Sequence, residues 1–146
     1  MTTPIKSLAA VAAAAMLATT AFAQTAKEVR SPLVAIENEP APKLIVDPPV
    51  PAALARGAAV IPYRLENFRI LSVLGAVAVK ISPRVGHLHV TVDDLPWRWA
   101  DFSDSHTVVV NGLPPGPHKI LIELADAEHR VLTGQTVTFT VPGPAK

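Results

Sequence analysis

Residues 86–94 read GHLHVTVDD, with two histidines one residue apart at the start of a run rich in valine and threonine. Side chains alternate between the two faces of a strand, so Leu88, Val90 and Val92 share one face, while His87, His89, Thr91 and Asp93 share the other. The apolar set is expected to face a core. The two imidazoles then stand about 6.6 Å apart at Cα, given a rise of ~3.3 Å per residue, and can converge on one ion. The metal reading gathers His87, His89 and His118, with Asp93, Glu123 or His129 as a further ligand. Imidazole suits Cu(II), Zn(II) and Ni(II), and a set of three leaves a coordination position open. The competing reading is a pair of ordinary histidines on a solvent-facing strand surface, with His118 as a packing ring bonded to a backbone carbonyl.

The sequence contains no cysteine, and its two methionines are Met1 and Met16. A blue-copper centre needs a cysteine thiolate and is excluded. Both methionines lie in the segment expected to be removed, so a methionine-rich Cu(I) carrier is excluded too. A nitrogen and oxygen site for a divalent ion, Cu(II) or Zn(II), is what remains.

Other constellations carry less. Asp93 and Asp94 are adjacent, so on a strand they point to opposite faces and do not form an acid/base pair; an Asx-type turn before Pro96 is the expected role. Asp101, Ser103, Ser105 and His106 offer triad residue types within one short loop that lacks a glycine elbow. No catalytic residue is expected, and the chain reads as a binding module and not an enzyme. Trp97 and Trp99, the only tryptophans, either cap the core or form an exposed aromatic platform for a flat ligand, a sugar ring or a protein partner.

The elements that must position these residues follow from the rest of the chain. Lys6 precedes an uncharged stretch from Ser7 to Ala26, which includes Ala21-Phe22-Ala23. A basic start, an apolar segment and small residues before the cut form a secretory signal, so cleavage is expected after Ala23 and the mature chain is expected to be periplasmic or secreted. Cleavage removes Lys6 alone among the charged residues, leaving twelve basic against twelve acidic side chains. That balance gives no reason to expect a nucleic acid partner. The mature chain carries no second apolar run of membrane-spanning length.

Residues 24–53 form a proline-rich extended leader, in which Leu44-Ile45-Val46 is a candidate edge strand and Ala52–Arg56 a candidate helical turn. Residues 54–146 form the domain. Strand character marks Ala58–Tyr63, Phe68–Leu74, Ala76–Ile81, His87–Val92, Thr107–Val110, Lys119–Leu124 and Gln135–Val141. Pro62 is expected to put the first of these at an edge or a bulge. About seven short strands separated by turn residues predict an all-β, immunoglobulin-like β-sandwich, with a small barrel as the alternative.

Three stretches, GHLHVTVDDLPWRW, NGLPPGPHKILIELADAEHRVL and TVTFTVP, together resemble a bacterial family of small exported proteins of unknown function. The likeness extends back through PKLIVDPPVPAALARG and covers about residues 42–142. The second stretch also resembles bacterial immunoglobulin- and transthyretin-like modules, in which a Leu-x-x-Gly turn, here Leu113 and Gly116, leads to an aromatic position, here His118. A more distant likeness, to exported domains with paired strand histidines, a PGxH turn and a later D…H, implies His87, His89, His118 and His129 as the ligand set. Its members often carry histidine between the two tryptophans, where this chain has Arg98. The tryptophan loop is therefore not expected to supply a ligand.

Overall fold

The computed structural model describes residues 33–143; the expected signal segment and its cleavage point lie outside them. The described residues form β1 (Val34–Ala35), β2 (Lys43–Val46), α1 (Pro51–Leu54), β3 (Ala58–Glu66), β4 (Arg69–Ile70), β5 (Ile81–Ser82), β6 (Val85–Val92), β7 (Trp99–Asp101), β8 (Thr107–Asn111), β9 (Gly116–Asp126) and β10 (Val131–Val141). One sheet has the order β10-β9-β6-β4, with β7 also paired to β6, and a second has the order β2-β3-β8; β1 and β5 form a small ribbon. None of these sheets closes into a barrel, and the arrangement is that of a β-sandwich.

The core lies between the two main sheets. Ala59, Ile61 and Tyr63 of β3, Leu44 of β2 and Val108 of β8 face Leu88, Val90 and Val92 of β6 and Ile120, Ile122 and Leu124 of β9. Each is an alternate position on its strand, as the period of two requires. Burial of each large aliphatic among them contributes roughly 1.5–3 kcal/mol. Gln135 of β10 ties the layers together: its amide donates to the Leu44 carbonyl at 2.8 Å and accepts from the Val46 N–H at 3.3 Å.

Several expectations are corrected. Ala76–Ile81 is not a strand: it holds a short 3₁₀ turn at Ala78–Lys80 and contributes only Ile81 to β5. Its valines have β propensity but little to pack against, and Val77 is 83% exposed. Only Arg69 and Ile70 of Phe68–Leu74 form a strand. Pro62 lies in β3, the central strand of its sheet. The β2 ladder ends at Val46↔Tyr63, and beyond it the Asp47 N–H donates to the Pro62 carbonyl at 3.0 Å. A reciprocal donor would sit on the Pro62 nitrogen, which has none, so the ladder ends there with no N–H left unpaired. Among the described residues of the 54–146 range there are eight strands where about seven were expected, several of them only two or three residues long. The two elements expected within the leader range do form: Leu44-Ile45-Val46 lies in β2, an edge strand paired with β3, and α1 supplies the helical turn near Ala52–Arg56.

Candidate metal centre

β6 lies in the middle of its sheet. β9 runs antiparallel along one side, with Gly86↔Asp126, His87↔Ala125 and His89↔Glu123; on the other side β7 sets Ala100 beside His89. Such close pairing at Asp126 requires Gly86, because a Cβ there would stand 2.0 Å from the Ala125 carbonyl oxygen. The sequence places His87 and His89 on the face opposite Leu88, and the structure agrees. That face is not open to solvent at this end, however: both histidines are buried. The Phe102 ring stacks on His87, with centroids 4.4 Å apart.

The third ring comes from the β9–β10 hairpin. The His129 N–H donates to the Asp126 carbonyl at 3.0 Å and the Asp126 N–H to the Arg130 carbonyl at 2.9 Å, which closes a three-residue loop over Ala127, Glu128 and His129. His129 occupies the left-handed position, φ +62°, usually taken by glycine. A side chain there costs about 1–2 kcal/mol, which suggests that the imidazole itself is what the position is used for. Asp126 builds the loop. Its Oδ1 accepts from the Glu128 and Arg130 N–H groups at 2.8 and 3.0 Å, and its Oδ2 from Arg130 Nε at 2.9 Å. Burial alone would raise its pKa, but these donors and the Arg130 charge hold it below the ordinary carboxylate value.

The three rings meet nitrogen to nitrogen. His87 Nε2 lies 3.0 Å from His89 Nε2 and 3.0 Å from His129 Nδ1, and the remaining side of the triangle is 3.2 Å. An ion ~2.0–2.1 Å from each nitrogen would subtend angles of about 91–106°, between an octahedral face and a tetrahedron. Hydrogen bonding alone fits the triangle poorly, because one proton between two nitrogens leaves the third unmatched, whereas one cation accepts all three lone pairs. The Nδ1 atoms of His87 and His89 are buried without a partner. Packing thus orients these rings in place of outer acceptors, and a site of this kind is expected to hold metal ~10–100-fold less tightly than one with such acceptors.

The electrostatics keep the pair neutral, the state a metal ligand needs. Burial, then the His129 ring, lower the pKa of His87, against a smaller opposing pull from Asp126. Burial, then the Arg98 charge and the other two rings, bring His89 down to about 4. An unfolded chain with ordinary histidines therefore takes up protons first as pH falls. The metal-free protein is expected to hold its stability above about pH 6.5 and to lose it from there toward about pH 4, with His89 alone accounting for roughly 3 kcal/mol. Urea unfolding across that range checks this, and an unchanged stability at about pH 4.5 would contradict it. A second expected result concerns the hairpin: Asp126→Ala should lower zinc affinity by about tenfold and stability by ~1–3 kcal/mol, measured by titration and by urea unfolding.

His118 is not brought to the triangle. Its Nδ1 lies 2.7 Å from Asp93 Oδ2 and its Nε2 2.8 Å from the Pro114 carbonyl, so both ring nitrogens are engaged. The Asp93 contact, then that carbonyl, raise its pKa. His118 lies seven residues before Ala125, the partner of His87, and is thus about 23 Å away along β9. The closure expected from His118 is made by His129.

Asp93 also accepts from the Lys119 N–H at 2.8 Å, and both Asp93 and Asp94 have positive φ, closing a turn after β6. Glu123 pairs with Arg98 at 3.6 Å and does not join the donor group. Ser103 Oγ donates to Asp101 and Ser105 Oγ to the Thr107 carbonyl, and His106 lies 3.7 Å from Asp104, so the triad types are engaged in local loop contacts. Trp99 packs against the core, whereas Trp97 is 56% exposed, with ring centroids 6.0 Å apart. Trp99 thus takes the core-capping position, and Trp97 does not.

Fold and cluster define a class: a β-sandwich protein with a buried pair of strand histidines closed by a hairpin histidine. The chain belongs to DUF6130, described as a family of unknown function, whose match runs over residues 1–146. No curated protein and no solved structure matches it.

Proposed function

We propose that the protein is an exported, non-catalytic binding module that holds one divalent ion, Cu(II) or Zn(II), through His87 Nε2, His89 Nε2 and His129 Nδ1. One observation carries the reading: three ring nitrogens converge within 3.0–3.2 Å of one another, two of them on buried side chains. The neutral state of His87 and His89 supports it, as does the left-handed backbone at His129. So does the lack of sulfur in the residues after Met16, which leaves nitrogen and oxygen as the donors. Export rests on the charge and size pattern of residues 1–23. Calorimetric titration of the metal-free protein with Zn(II) and Cu(II) tests the site: one ion per chain is expected, with proton release small near neutral pH. Binding of several ions with equal weak affinity would overturn it.

A second reading, an interaction module for a protein or glycan without metal, is favoured by the exposed Trp97 beside Leu95, which is also exposed. It predicts partner binding that a chelator leaves unchanged and that Trp97→Ala abolishes.

A further inference from the structure

The charge around the triangle shows what the ion would need beyond three nitrogens. All three candidate ligands are imidazoles, which bring no negative charge, and the convergent donor group contains no carboxylate. Nearby acids are paired: Asp126 with Arg130 at 2.9 Å, and Glu123 with Arg98 at 3.6 Å. Glu128 also contacts Arg130, at 3.4 Å, on the exposed side of the hairpin. A divalent ion would thus bring two positive charges beside buried groups with no anion in its coordination sphere, an arrangement that low-dielectric surroundings penalise heavily.

Arg98 adds to this. It directly precedes β7, which pairs Trp99 with Val90 and Ala100 with His89, so alternation puts Arg98 on the outer face with His89 and Glu123. Its side chain is 49% exposed, and its ion pair with Glu123 is long at 3.6 Å. On that face the small Ala100 stands directly across from His89 on one side, and Glu123 on the other.

We propose that the loaded site takes a small planar oxyanion of the carboxylate class as a further ligand, one oxygen on the ion and the other on the Arg98 guanidinium. The inference rests on the metal reading above. A carboxylate matches the guanidinium fork, which a halide cannot, and supplies the missing negative charge.

The test uses the full mature chain loaded with Cu(II), with sodium acetate as probe and the copper d–d absorption band as readout. Acetate is expected to shift the band saturably and chloride to shift it much less. Arg98→Ala should weaken acetate binding at least tenfold, and Arg98→Lys should recover part of the loss. Arg98 is half-exposed, so both variants are expected to fold. A normal copper band that acetate leaves unmoved, or that shifts equally in Arg98→Ala, overturns this inference alone. If no histidine-type copper band forms, the Cu(II) form of the metal reading falls and this inference with it.

Discussion

His129→Gly is expected to weaken Zn(II) or Cu(II) binding by at least about 100-fold, or ~2.8 kcal/mol, while the metal-free protein remains folded. The substitution removes one of three donors and leaves two histidines that cannot complete a site. Glycine accepts φ +62° without strain, so loop geometry survives and misfolding cannot mimic the loss. The same experiment on His118→Ala is expected to leave metal affinity unchanged, since that ring is held by Asp93 and Pro114. Competition against a chromophoric chelator measures both. An unchanged affinity in His129→Gly, or a large loss in His118→Ala, would reverse the assignment.

The second large effect lies one residue before the histidine pair. Gly86→Ala places a Cβ 2.0 Å from the Ala125 carbonyl oxygen and 2.9 Å from the Phe68 ring. The nearer obstacle is backbone of β9, which cannot give way without parting the two central strands. A loss of about 3 kcal/mol or more in urea unfolding is expected, at the severe end for overpacking. Metal affinity should fall as well, because the strain acts between His87 and its neighbour Ala125. A variant within about 1 kcal/mol of the parent would show that β6 and β9 are less tightly apposed than described.

Much of this site was legible in the sequence, and what was not has identifiable causes. Alternation along GHLHVTV separated His87 and His89 from the core-facing Leu88, Val90 and Val92, because the period of a strand is fixed by its backbone. It could not show that the second face is covered. The covering comes from Phe102 and the His129 hairpin, brought there by β7 and β9 through pairings between residues distant in sequence. The choice between His118 and His129 depended on strand direction. Parallel pairing would have set the start of β9 beside His87; antiparallel pairing sets its end there, with the loop that follows. One local signal favoured His129: an aspartate closing one strand, a three-residue loop and a second strand are the pattern of a tight hairpin. The Ala76–Ile81 segment misled in the opposite way, since valine content marks a strand only where a partner exists.

The central claim, one ion held by these three rings, is tested most directly by X-ray absorption at the zinc edge of the loaded protein. Three imidazole nitrogens at ~2.0–2.1 Å are expected, with oxygen completing the shell and one imidazole lost in His129→Gly. A shell of oxygen alone, or an imidazole count that His129→Gly leaves unchanged, would contradict it.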